Sequence, residues 1–187
     1  MLAAKAWSVR GYAEHPLRER DFSFAGDTVR GIARSGSAAK LAKRTVEPEL
    51  PTTRSYRFEL ASSAGALAGA CTEHVAPQPS VFGVGARRLR LHCACSQGAV
   101  PRSELTLVDG EGSAQLSDGT RYQVTAVRKS AEGKRERTPL GYLFGGDQST
   151  GALEHTGAGR AWPPTGLDER SAVELRCIYA ALFLYRH

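Results

Sequence analysis

A histidine and two cysteines fall within four positions, His92-Cys93-Ala94-Cys95, inside the stretch "LRLHCACSQG" at 89–98. Imidazole and thiolate are ligands for zinc and groups for redox chemistry, so this cluster is the first candidate for a reactive site. Its backbone context argues otherwise. The segment reads as a strand, and in a strand residues i and i+2 share a face while i+1 points away. Leu89, Leu91, Cys93 and Cys95 then lie on one face and Arg88, Arg90, His92 and Ala94 on the other. The arginine face must be wet, so the sulfurs turn toward the core and His92 turns away from them. A regular strand thus keeps His92 and the two cysteines off a common metal.

Cys71 and Cys177 complete the set of four cysteines, with spacings of 22, 2 and 82 residues. Cys93 and Cys95, about 7 Å apart along one strand, are badly placed to bond each other. Buried free thiols are the leading expectation for Cys71, Cys93, Cys95 and Cys177. Disulfides are the second reading, with Cys71 paired to Cys93 or Cys95 as the bond to test first. A zinc or redox site comes third, because no C-x₂₋₄-C knuckle is present. No metal and no cofactor is therefore expected.

Two glutamate–histidine pairs, Glu73-His74 and Glu154-His155, stand at strand ends and are the candidate polar cluster of an unfamiliar enzyme. Solvated strand ends are the plainer account of them. No catalytic residue is assigned, because G-x-S-x-G, S-x-x-K with its supporting motifs, H-E-x-x-H and C-x-x-C are all absent. "EGKRERT" has neither the upstream glycine of a phosphate loop nor a hydroxyl residue directly after the lysine. "GVGARRL" places Arg88 where a dinucleotide fingerprint needs its third glycine.

Basic residues form the other candidate set. The chain carries 25 Lys and Arg against 19 Asp and Glu, a formal charge of +6, which favours encounters with anionic partners without proving one. Clusters occur at "KLAKR" (40–44), at Arg87, Arg88 and Arg90, and at Arg128, Lys129, Lys134, Arg135 and Arg137. These are the candidate anion-binding residues. Nucleic acid is a conceivable partner that no motif indicates, since neither a recognition helix nor an RNP-type aromatic pattern accompanies them.

The elements that must position these groups are mostly strands. "RSYRFELAS" puts Tyr56, Phe58 and Leu60 on one face and Arg57 and Glu59 on the other. "AQLSDGTRYQVTAVR" (114–128) reads as a hairpin, and Asp118-Gly119 predicts a type I′ turn with both central residues at positive φ. "AWPPTG" (161–166) is excluded from a central strand by its two prolines. The last twenty residues read as a helix, with Asp168 and Glu169 at its start and Arg186 and His187 at its end. Its run Cys177–Tyr185 is apolar around the whole circumference, which demands burial on every side.

The expected fold is mainly β: an antiparallel sheet or barrel-like domain with one apolar C-terminal helix packed on or inside it. Helix-filled barrels of the tubby and scramblase type are similar in general plan. The chain carries no residue motif of theirs, so the likeness implies nothing about function. The expected organisation is one domain over 1–187, with an N-terminal β arm at 1–34, a loop or linker at 35–53, a β core at 54–161 and the buried helix at 167–186.

No stretch approaches the length of apolar sequence that spans a bilayer. With charges at Lys5 and Arg10 the start of the chain has no signal-peptide core. The cytoplasm is the default expectation, and the cell envelope or exterior the expectation if a leader has been removed. The function expected is a non-catalytic binding or structural module acting on a protein or anionic partner. The alternatives are anionic-ligand, nucleic-acid or membrane-surface binding through the arginine clusters, and an unfamiliar enzyme with a His/Glu cleft.

Overall fold

The computed structural model describes residues 6–10, 21–36, 51–77, 87–136, 138–146 and 149–185. Twelve strands and one helix account for most of them. The strands are β1 (Trp7–Arg10), β2 (Phe22–Phe24), β3 (Asp27–Gly36), β4 (Thr52–Ser62), β5 (Gly65–Pro77) and β6 (Arg87–Gln97). They continue as β7 (Val100–Val108), β8 (Glu111–Leu116), β9 (Arg121–Val127), β10 (Gly141–Gly145), β11 (Thr150–Glu154) and β12 (Arg160–Trp162), followed by α1 (Glu169–Leu184). Each strand pairs antiparallel with its sequence neighbours. β1 closes the ring on β12 through Trp7↔Ala161 and Ser8↔Arg160, giving a closed twelve-stranded barrel.

Alternation decides what fills it. Tyr56, Phe58 and Leu60 on β4, Leu91, Cys93 and Cys95 on β6, and Tyr122 and Val124 on β9 are all buried, whereas Arg57, Arg90, His92 and Gln123 are exposed. The inward phase of the wall meets α1, which occupies the lumen. From Cys177 to Leu184 no helix residue is more than 3% exposed, as an all-round apolar surface requires. Phe183 packs edge-on against Phe22 and Phe24, and Tyr179 against Phe144. The barrel is tight enough that Gly112 and Gly141 have no room for a Cβ, which would run into the Thr106 and Leu153 carbonyls.

The up-and-down order gives the barrel two unlike ends. The turns at Ala25–Gly26, Ser62–Gly65, 97–100 and 117–120 lie at one end, and α1 enters there. Asp168 caps it by accepting from the Ser171 amide at 2.7 Å. Glu174, buried inside, accepts from the Ser117 amide and hydroxyl at 2.8 and 2.6 Å and so ties the helix to the β8–β9 turn. The helix finishes at the opposite end, where Arg34 donates to the Leu184 carbonyl at 2.7 Å.

The structure departs from the sequence reading in four places. The cysteines are not free thiols: Cys71 bonds Cys93 and Cys95 bonds Cys177, leaving none unpaired. Register explains the first bond, since Cys71 and Cys93 are direct cross-strand partners. The second needs the helix inside the barrel, which no local pattern shows. The β8–β9 hairpin does not have a type I′ turn, because Gly119 takes positive φ and Asp118 does not. Instead Gly119 N–H bonds Leu116 C=O and Leu116 N–H bonds Thr120 C=O, a three-residue loop with a glycine bulge. Asp118 is held there by accepting from the Thr120 amide and the Ser171 hydroxyl. Third, Ala161 and Trp162 do belong to a strand, with the prolines falling just past its end. Fourth, β3 and β4 reach into the stretch 35–53, β3 running to Gly36 and β4 starting at Thr52.

Candidate functional site

The strands on one side of the barrel outrun the helix. α1 has 16 residues and a length of roughly 24 Å. β5 has 13 residues, roughly 43 Å of extended chain. Tilted as barrel strands are, it still rises some 10 Å beyond the helix. The inward phase therefore continues past the plug, and there its chemistry changes. On β4 the series Leu60, Phe58, Tyr56 passes to Arg54 and Thr52; on β5 Leu67, Gly69, Cys71 passes to Glu73 and Val75. On β6, Cys95, Cys93, Leu91 passes to Leu89 and Arg87, and on β9 the phase of Tyr122, Val124 and Ala126 leads to Arg128.

These residues surround a cleft of about 790 Å³ at the barrel mouth, with Asp109, Arg135, Glu136 and Thr138 completing its wall. That volume is within the range of small-molecule sites. Four guanidiniums, of Arg54, Arg87, Arg128 and Arg135, face three carboxyl groups, of Glu73, Asp109 and Glu136. Asp109 is committed to the backbone, accepting from the Leu89 amide at 2.8 Å.

Glu73 is the unusual member. It is only 5% exposed, it stands in register with Arg54, and no hydrogen bond from another described residue reaches its carboxyl. Burial raises its pKa, opposed by the positive charges of Arg54 and Arg34. Beneath it lie the hydroxyls of Tyr56, Tyr142 and Tyr185, whose pKa values burial pushes up strongly. Tyr56 donates to the Ala181 carbonyl at 2.8 Å. The Tyr142 hydroxyl is buried with no hydrogen-bond partner among the described residues.

A carboxyl whose folded pKa is raised works against folding once it ionises. The folded state then holds the proton more tightly than the unfolded chain, and stability falls as pH rises from the unfolded value through the raised folded value. Glu73→Gln is expected to remove that slope and leave the protein more stable at pH 8 than the native chain, with little difference at pH 4. Urea midpoints at the two pH values check this, and a loss of stability at pH 8 overturns it.

The sequence-derived candidates are partly gathered here and partly dispersed. Arg87, Arg128 and Arg135 meet at the mouth. Arg88 and Arg90 project from the outer wall of β6, Lys129 and Lys134 are exposed on the β9–β10 connection, and Lys134 pairs with Glu136 at 3.1 Å. Arg137 and the "KLAKR" cluster lie outside the described residues. The four residues of the two Glu-His pairs have separate surroundings. Glu73 lines the mouth, but His74 is on the outer face, within 2.9 Å of the Thr53 hydroxyl. Glu154 accepts from the Thr156 hydroxyl, and His155 stacks on Phe183 and lies tilted against Tyr142. His92 is exposed and pairs with Glu104 at 2.8 Å. Among the described residues no three His, Cys, Asp or Glu side chains are grouped to hold a metal ion. Among the described residues no helix is long and apolar enough to cross a membrane.

Arg54 is the site residue that reading the sequence missed. Its signal was available: it sits two residues before Tyr56, on the apolar phase of β4, where an arginine is out of place unless that phase opens to solvent. Fold and mouth together define a class, a disulfide-tied, closed antiparallel barrel filled by its own C-terminal helix and ending in a charged cup. Compared with known proteins, the chain matches no protein-family model, no curated protein and no solved structure.

Proposed function

We propose that the protein is a non-catalytic binding module whose barrel mouth takes an anionic ligand. The observation that carries this is the convergence of Arg54, Arg87, Arg128 and Arg135 from three strands or strand ends and one loop onto a single cleft. Guanidinium groups suit such a site, because their planar forks bond carboxylate, sulfate or phosphate oxygens two at a time. A low-dielectric floor of buried tyrosines strengthens those bonds. The two disulfides favour an oxidising compartment as the place where the module works, since such bonds persist there and are rare in the cytosol.

Titration calorimetry with tripolyphosphate tests the site. Binding is expected to weaken as salt is raised from 50 to 300 mM, as screening demands. The double variant Arg87→Gln, Arg128→Gln is expected to bind at least about tenfold more weakly, the worth of one or two charge-assisted hydrogen bonds. Binding that is absent, or indifferent to salt and to both arginines, overturns the proposal.

A further inference from the structure

We infer that Glu73 competes with the anionic ligand for Arg54, so that the mouth takes up its anion together with a proton on Glu73 and releases it when Glu73 ionises. The inference rests on the anion-binding reading and adds the regulation of that site. Its basis is one cross-strand pair. Glu73 is buried on the inward phase of β5 and lines the cleft, and its cross-strand neighbours are Arg54 on β4 and the apolar Leu91 on β6. Arg54 is itself exposed and lines the same cleft. The carboxylate and an incoming anion therefore draw on one guanidinium.

The other buried acids are placed differently. Asp27 pairs with Arg176, and Glu174 with Arg170 and Ser117, all away from the mouth. Arg34 on β3 is the second cation acting on Glu73, but it is engaged by the Leu184 carbonyl and the Tyr56 ring. Arg87, Arg128 and Arg135 stand around the cleft with Asp109 and Glu136. Beneath it Tyr56, Tyr142 and Tyr185 stay neutral at ordinary pH, because burial holds their pKa values high, and His155 lies against Tyr142. Ionised Glu73 offsets the charge of Arg54 and repels a second anion, whereas protonated Glu73 does neither. Burial holds its pKa above the ordinary carboxylate value, against the pull of Arg54 and Arg34. A bound anion raises that pKa further, so by reciprocity affinity rises as pH falls through it.

Calorimetry with tripolyphosphate on the native protein and on Glu73→Gln, at pH 4 and pH 8, tests the inference. The readout is the ratio of the two affinities, because ionisation of the probe and of the other cleft groups is common to both proteins and cancels. At pH 8 the variant is expected to bind about tenfold more tightly than the native protein, a usual size for coupling between two binding events. At pH 4 the two are expected to bind alike. Glu73→Ala is expected to repeat both results, which excludes a contribution from the new amide. In an Arg54→Gln background the gain at pH 8 is expected to shrink, since the shared guanidinium is gone. A ratio at pH 8 no greater than at pH 4, or a gain undiminished without Arg54, overturns the inference and leaves the anion site standing. Failure of tripolyphosphate to bind the native protein and both Glu73 variants at either pH overturns the anion site itself.

Discussion

Replacing Cys95 and Cys177 together with alanine is expected to lower the unfolding free energy by about 4.5 kcal/mol, the loop-closure value for a bond across a separation of 82 residues. This bond differs in kind from its neighbour. Cys71–Cys93 joins two strands already held in register along a long ladder, and closes a loop of only 22 residues. Cys95–Cys177 ties the barrel wall to the helix that fills it, joining β6 to an element that contacts the wall only through side chains and caps. Its removal lets the unfolded chain separate plug from wall. The Cys71→Ala, Cys93→Ala variant is expected to lose less, nearer about 3 kcal/mol on the same model. Urea midpoints and slopes for the two double variants measure the difference. A thiol titration of the unreduced, denatured protein accompanies them, with no reactive thiol expected. An equal loss in the two variants, or four reactive thiols, would falsify the account of the helix as a tethered plug.

The second large effect is expected at Arg176. Its guanidinium bonds the Asp27 carboxylate at 2.5 Å, and the two side chains are 12% and 3% exposed. It also lies over the Trp7 ring, 5.6 Å from the centroid, so one side chain links α1 to the β2–β3 turn and to the strand that closes the barrel. Arg176→Ala leaves a buried carboxylate without its partner, which costs about 3–5 kcal/mol in comparable sites. The Asp27→Leu, Arg176→Met pair removes both charges and is expected to recover most of that loss, because the ion pair itself repays little beyond its desolvation cost. Thermal and urea unfolding of the single and double variants decide between these outcomes. A double variant as unstable as Arg176→Ala would show that the packing of the arginine stem, and not the stranded carboxylate, carries the effect.

Alternation made much of the barrel wall legible. Tyr56-x-Phe58-x-Leu60 and Leu91-x-Cys93-x-Cys95 each read correctly as one buried face, because a pleated strand has only two faces and charge marks the wet one. The same pleat keeps His92 on the exposed face, away from the sulfurs. The short strands β2 and β12, of three residues each, escaped notice because their ladders are supplied by neighbours and not by their own composition. Asp118-Gly119 marked the hairpin, but the turn type followed from the bonds Asp118 makes to Thr120 and to Ser171 of the helix. Those partners are tertiary.

Period and polarity, which are local, therefore determined on their own that this chain is a set of antiparallel strands with sulfurs facing inward and an all-round apolar helix at the end. They could not say where the helix lies, because an apolar helix is equally well buried on a sheet or within it. Only closure of the ring placed it in the lumen, brought Cys177 to Cys95, and left β4, β5 and β6 extending beyond its last turn. That overhang is what turns Arg54, Glu73 and Arg87, which stand on three successive strands, into the wall of one cup. A charge cluster is a property of neighbouring residues, whereas a binding site is a property of strand ends that meet only when the barrel closes.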